Sequence, residues 1–137
     1  MVRPIMRDVM FLSRKSEMAK REDLPVAQDL ADTLRANSAH CVGMAANMIG
    51  VLKRIIVVQA GLGCMVMLNP VICAHSKESY TAEEGCLSLS GVRKTQRYES
   101  ITVEYRDMQY NKQRGTFSGF TAQIIQHEID HCNGIII

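Results

Sequence analysis

The segment Gln126-His127-Glu128-Ile129-Asp130-His131 constrains this chain more than any other. Ser118 upstream is a candidate cap and Asn133-Gly134 downstream is a stop, so the spacing predicts a helix over roughly 119–131. Residues four apart share a helical face, which puts His127 and His131 on one stripe with Phe120 and Ile124. An apolar stripe faces a core, and two imidazoles buried on it must find partners there. The fold must therefore close around its last helix and bring to it something that satisfies both rings. One divalent cation does so, taking both nitrogens at ~2.0–2.1 Å for a zinc-like ion. Glu128, turned by about 100° from His127, can approach the open side of such an ion without ligating it, where a general base belongs. Asp130 faces elsewhere, toward a neighbouring loop or strand end.

With 137 residues, 47% of them hydrophobic and 22% charged, the chain can bury one ordinary core, and we read residues 1–137 as a single domain. The first twenty or so residues form an irregular arm or short helix. Asp23 as a cap and Pro25 in the first turn open an amphipathic helix over about 24–38, with Leu24, Ala27, Leu30, Ala31 and Leu34 at helical spacing. Cys41 to Gly50 is rich in small residues and reads as a loop or tight turn in close contact with another element or a ligand. Strands follow at 54–59 and 64–68, broken at Asn69-Pro70, with an extended path at 71–74. Further strands lie near 100–105 and 113–117. Short turns join these strands, so the fold class is α+β, with mostly antiparallel strands packed around a central C-terminal HExxH helix.

Composition also excludes several roles. The net charge is +2 and the most basic stretch, Arg14 to Arg21, is interrupted by Glu17, so no phosphate-tracking face for nucleic acid is expected. Ile55 to Ala74 carries no charge, but Gln59, Gly61, Gly63, Asn69 and Pro70 divide it too often for a membrane span. Charges recur through the first twenty-one residues, leaving no apolar stretch for a signal peptide. The five cysteines have no paired spacing, which suits a reducing cytoplasm.

Two histidines leave an ion short of ligands. Cys132 is turned off the ligand face and reads as core, while Cys64 and Cys73 lie in apolar strand runs and read as packed hydrophobes. Cys41 borders the small-residue loop and remains a candidate. Cys86, in Glu84-Gly85-Cys86-Leu87-Ser88, is favoured over it, because Gly85 frees the backbone to present a sulfur and Leu87 offers an N–H just beyond.

These residues resemble the peptide deformylase family. Its three motifs have counterparts here in order: Cys41-Val42-Gly43-Met44-Ala45-Ala46-Asn47-Met48 for the glycine-rich first, Glu84-Gly85-Cys86-Leu87-Ser88 intact for the second, and Gln126-His127-Glu128-Ile129-Asp130-His131 intact for the third. The resemblance implies that Cys86, His127 and His131 bind one divalent metal, Fe(II) natively, with Zn, Ni or Co in preparations. Glu128 would move protons between the attacking water and the leaving amine. The substrate would be an N-formylmethionyl peptide, cleaved to release formate, and the Leu87 N–H would help hold the developing oxyanion. Val42, Gly43 and Ile124 match positions that line the methionine pocket or pair with the peptide. Glu84 and Arg93 match a charged pair supporting the metal loop and the substrate path.

The sequence departs from that pattern in four places. Met48 stands where the family has a glutamine whose amide donates to the formyl oxygen, and losing one such donor costs ~10²–10³-fold in rate. The adjacent Asn47 or a water would have to replace it. Cys41 replaces the first motif glycine, and Gln123 stands where the family more often has an apolar residue. The sequence ends six residues past His131, where many bacterial relatives carry a further helix that can dock on the ribosome, so ribosome docking is in doubt. The reading is therefore a deformylase of reduced activity. The alternatives are a paralogue acting on another acyl-amide, and a metal-containing peptide-binding protein with little catalysis.

Overall fold

The structure, a computed structural model, describes residues 1–61, 63–86 and 88–135. A short helix α1 (Val9–Leu12) breaks the N-terminal arm, and α2 (Leu24–Ala36) follows with Pro25 in its first turn. Ala27, Leu30, Ala31 and Leu34 form its buried stripe, as the periodicity predicts. Asp23 does precede the helix, but its carboxylate turns back to accept the Lys20 N–H at 2.7 Å, closing a 3₁₀ turn over Arg21–Asp23 instead of capping α2.

The small-residue run becomes a short strand β1 (Gly43–Ala45) and a 3₁₀ turn (Ala46–Ile49). Strands β2 (Ile55–Ala60) and β3 (Gly63–His75) come next. β3 does not stop at Asn69-Pro70. Asn69 adopts φ +53°, the register slips between Leu68 and Val71, and the strand resumes, because a proline without an N–H is tolerated at a bulge. The Asn69 amide secures the bend by bonding the Ala19 backbone in both directions, at 2.7 and 2.9 Å.

Two strands, β4 (Ser79–Cys86) and β5 (Leu89–Tyr98), pair as a hairpin that hydrophobic alternation did not predict. The inward residues of β4 are Ala82 and Glu84, and Arg97 is buried on β5, so the face that should read as apolar carries an ion pair. β6 (Ser100–Arg106) and β7 (Lys112–Ser118) form the expected antiparallel pair. The main sheet runs β1-β2-β3-β6-β7, antiparallel throughout.

Helix α3 (Gly119–Cys132) crosses one face of that sheet and α2 lies against the other. β2 explains how. Ile55 and Val57 pack with Leu30, Leu34, Met44 and Met48, whereas Ile56 and Val58 pack with Ile101, Val103, Ile125 and Ile129. A strand buried on both faces needs an unbroken apolar run, which is what Ile55-Ile56-Val57-Val58 supplies. The architecture is α+β, as expected. Cys132 lies in the core, but Cys73 is exposed, its Sγ 3.4 Å from the Thr102 carbonyl, because the strand bulges again between Ile72 and Ala74. Among the described residues no helix is long and apolar enough to cross a membrane.

Candidate metal centre

Helix α3 is unusual in burying a polar stretch: Gln126, His127, Glu128 and His131 are all buried. Each has a structural reason to be inside. Gln126 bonds the Tyr98 backbone twice, accepting its N–H at 2.8 Å and donating to its C=O at 2.9 Å, and so moors the helix to β5. His127 and His131, one turn apart, bring their Nε2 atoms to 2.9 Å from each other, and Cys86 at the end of β4 brings its sulfur to the same place. The three potential ligand atoms lie within 4.8 Å of one another. Ile124 is buried on the same stripe, but Phe120 is 62% exposed and lines the adjoining cavity.

Glu84 holds this arrangement. Its Oε1 lies 2.7 Å from His127 Nδ1, so the ring donates there and its Nε2 faces Cys86 and His131. Arg97 clasps the same carboxylate, with Nη2 2.7 Å from Oε1 and Nε 3.0 Å from Oε2, and extends Nη1 to Asp130 at 2.6 Å. Asp130 thus ties α3 to a strand, as its orientation predicts. Sequence reasoning named Arg93 as the charged partner of Glu84. Arg93 faces Glu84 across the ladder but is exposed, and the buried ion pair is made by Arg97. Arg93 and Arg97, four apart on β5, share the strand face that Glu84 presents, so alternation does not separate them; Arg97 is the one that α3 covers, where it meets Asp130.

The electrostatics follow from these contacts. Burial alone would push Glu84 up, but the hydrogen bonds and charges of His127 and Arg97 hold its carboxyl at about 2. Burial works downward on His127 too, yet bonding to Cys86 and Glu84 outweighs it and raises the ring to about 10. His131, pressed by burial and by the positive neighbours His127 and Arg97, falls to about 3 and is a neutral ring. One positive charge is therefore favoured on His127, and a second on His131 is not. Glu128 is pushed up to about 7 by burial, and its Oε1 has no hydrogen-bond partner although it is inaccessible to solvent. A thiol, two imidazoles and an unpartnered buried carboxylate beside them are a donor set that fits a catalytic metal: three protein ligands, an open fourth position and a base next to it.

A cavity of about 680 Å³ opens onto the cluster, and Cys86, His127 and Glu128 form part of its wall. Val42, Gly43 and Ile124 line it as well, while Arg93 does not. Leu87 lies outside the described residues. Gly43 is packed against the helix: a Cβ there would come 2.6 Å from Ile124 Cγ2 and 3.0 Å from Glu128 Oε2. Met48 is buried and lines the cavity, its sulfur 3.5 Å from the Ala45 N. Asn47 does not replace the missing amide, because its Nδ2 donates to the carbonyls of His131 and Leu12, away from the cavity. Cys41 lines the cavity but is absent from the ligand cluster; its Sγ bonds the Gly43 carbonyl, and burial pushes its thiol up to about 11.

The sequence model of the polypeptide deformylase family matches residues 3–137. A peptide deformylase of Clostridium beijerinckii is 58% identical over 137 residues, covering all of both chains. Among solved structures, a class I type b peptide deformylase from Acinetobacter baumannii superimposes with TM-score 0.88 at 32% identity, covering 98% of this chain and 96% of that one. The Met-ala-ser-bound form of the same Acinetobacter deformylase gives TM-score 0.89 at 30% identity over 99% and 97% of the two chains. With a match spanning nearly the whole sequence and a full-length relative well above the range of chance likeness, this chain belongs to the polypeptide deformylase family, a family of hydrolases.

Proposed function

We propose that this protein, acting as one domain over residues 1–137 in a reducing cytoplasm, removes the formyl group from N-formylmethionyl peptides. Cys86, His127 and His131 hold one divalent ion in this reading, Fe(II) natively, with Zn, Ni or Co able to substitute. When bound, the ion supplies a Lewis acid that lowers the pKa of water toward ~7. Glu128 takes the proton of the attacking water at its unpartnered Oε1 and passes one to the leaving amine. Burial suits it to this task, since a base poised near neutrality both accepts and returns protons. Val42, Gly43 and Ile124 contact the peptide, with β1, the outermost strand of its sheet, offering backbone groups for strand-like pairing. Glu84 fixes His127, Arg93 lies along the substrate path, and the Leu87 N–H assists at the oxyanion.

The observation that carries this reading is the buried, unpartnered Glu128 carboxylate beside the Cys86–His127–His131 cluster. Turnover is reduced, because Met48 has no N–H to donate and Asn47 spends its own elsewhere. The same observation supports a second reading, a paralogue acting on an acyl-amide whose carbonyl needs less help. Formate release from formyl-Met-Ala-Ser by protein loaded anaerobically with Fe(II) decides between them. Slow but saturable release is expected. No formate from protein that retains its metal, alongside hydrolysis of another acyl-peptide, overturns the first reading in favour of the second.

A further inference from the structure

Glu84 is bonded more completely than the His127 contact requires. Beyond Arg97 and His127, a further donor reaches its Oε2 from α3: the side-chain N–H of Gln123, at 2.9 Å. Gln123 is itself held, since its Oε1 accepts the O–H of Tyr80 at 3.1 Å. The two ends of an amide have opposite roles, so this contact settles the orientation: reversed, Gln123 would set a carbonyl oxygen against a carboxylate. Tyr80 on β4, Gln123 on α3, Glu84 on β4 and His127 on α3 thus form one continuous chain that crosses three times between strand and helix. Gln123 also lines the cavity, whereas Tyr80 does not.

We propose that Tyr80 and Gln123 are positioning residues for metal ligation: Tyr80 orients the Gln123 amide, the amide fixes the outer oxygen of Glu84, and Glu84 fixes the ring of His127. Because Gln123 is part of the cavity wall, the same chain joins the surface that a substrate side chain touches to the ring that holds the ion. This deepens the deformylase reading and rests on it only for the substrate arm of the test. A carboxylate held from several directions cannot rock about its Cγ–Cδ bond, so the Nδ1–H bond of His127 keeps its direction. Outer partners of ligating histidines typically contribute 10–100-fold to metal affinity or activity, and a partner one bond further out belongs at the lower end, about 10-fold.

The test uses the full chain loaded with Co(II), followed by transfer of the ion to EDTA and by the visible absorption of the bound ion. Gln123→Met keeps side-chain length and removes the donor; it is expected to speed Co(II) loss about 10-fold and alter the absorption band. Tyr80→Phe, outside the cavity, is expected to move both readouts the same way by about 3-fold, the scale of one neutral hydrogen bond. Adding Tyr80→Phe to Gln123→Met should change nothing further, as members of one chain require. Wild-type Co(II) loss and absorption in Gln123→Met overturn the proposal. So do additive effects in the double variant, or a change confined to KM for formyl-Met-Ala-Ser, which would make Gln123 a piece of pocket wall only. Tight, spectroscopically normal Co(II) in a protein that releases no formate would instead defeat the deformylase reading and leave the chelator result to judge this one.

Discussion

The two walls of the cavity are built to opposite rules. On the side made by α3 and the β4–β5 hairpin, a buried network of nitrogen and oxygen bonds holds both oxygens of Glu84. Glu84 receives Arg97, His127 and Gln123, and Arg97 continues to Asp130. On the β1 side, sulfur covers the backbone. Because the Gln59 N–H bonds the Val42 carbonyl, Val42 and Met44 turn toward β2 and the groups of Gly43 and Ala45 lie on the open edge. The Gly43 carbonyl meets Cys41 Sγ at 2.8 Å, and the Ala45 N–H meets Met48 Sδ at 3.5 Å. Thiols are weak donors and thioethers weak acceptors, so these covers yield readily to a peptide backbone. Holding an ion and stabilising a reacting carbonyl are thus separable tasks: the first wall keeps everything its task needs, and the second keeps its edge but lacks an amide donor.

The contrast breaks first at the base. Glu128→Gln keeps shape and packing but cannot take a proton, so formate release should fall by about 10²–10⁴-fold while metal content stays at the wild-type level. Loss of the metal together with the rate would mean that Glu128 belongs to the ligand set and is not its base. On the rigid wall, Arg97→Met strips a buried carboxylate of its counter-charge and should cost about 3–5 kcal/mol in urea denaturation. A cost below about 1 kcal/mol would show that the wall does not depend on that ion pair.

The walls meet at Gly43. In Gly43→Ala the new methyl presses on Ile124 and Glu128, and overpacking of this kind costs about 1–3 kcal/mol, with a rise in KM for the formyl peptide. Unchanged thermal stability would mean that β1 moves freely against α3. The smallest effect tests the soft wall directly: Met48→Gln restores an amide and should raise kcat about 10-fold, below the full value of an oxyanion donor because the surrounding packing suits a thioether. An unchanged or lower kcat would place the carbonyl elsewhere in the cavity.

Much of this was legible in the sequence where one element carries the whole signal. The spacing of His127 and His131 and the stripe of Leu30 and Leu34 are local periodicities, and the helices formed as expected. The β4–β5 hairpin was not legible, because its inward positions carry Glu84 and Arg97 and an ion pair leaves no hydrophobic alternation to read. Nor does the sequence single out Arg97: it shares one face of β5 with Arg93, and only the lie of α3 across the hairpin buries it against Glu84 and Asp130. Asn69-Pro70 read as a strand end because proline removes a ladder bond, yet neighbouring strands and the Ala19 backbone carried the chain through a bulge. Phe120 shares its stripe with Ile124, which predicts it inside, yet it is exposed and lines the cavity while Ala122, two residues on, is buried.

By itself, then, the order of residues determined the identities that chemistry requires: two rings a turn apart, an acid between them, a cysteine behind a glycine, and a methionine in place of an amide. Those are properties of composition at fixed spacing along one chain. Tertiary structure alone decided which side chains meet. Cys86 reaches the histidines, Arg97 reaches Glu84, Gln123 joins Glu84 to Tyr80, and Asn47 turns away, because each of these contacts joins residues from separate elements whose mutual distance depends on sheet register and on how a helix lies across it.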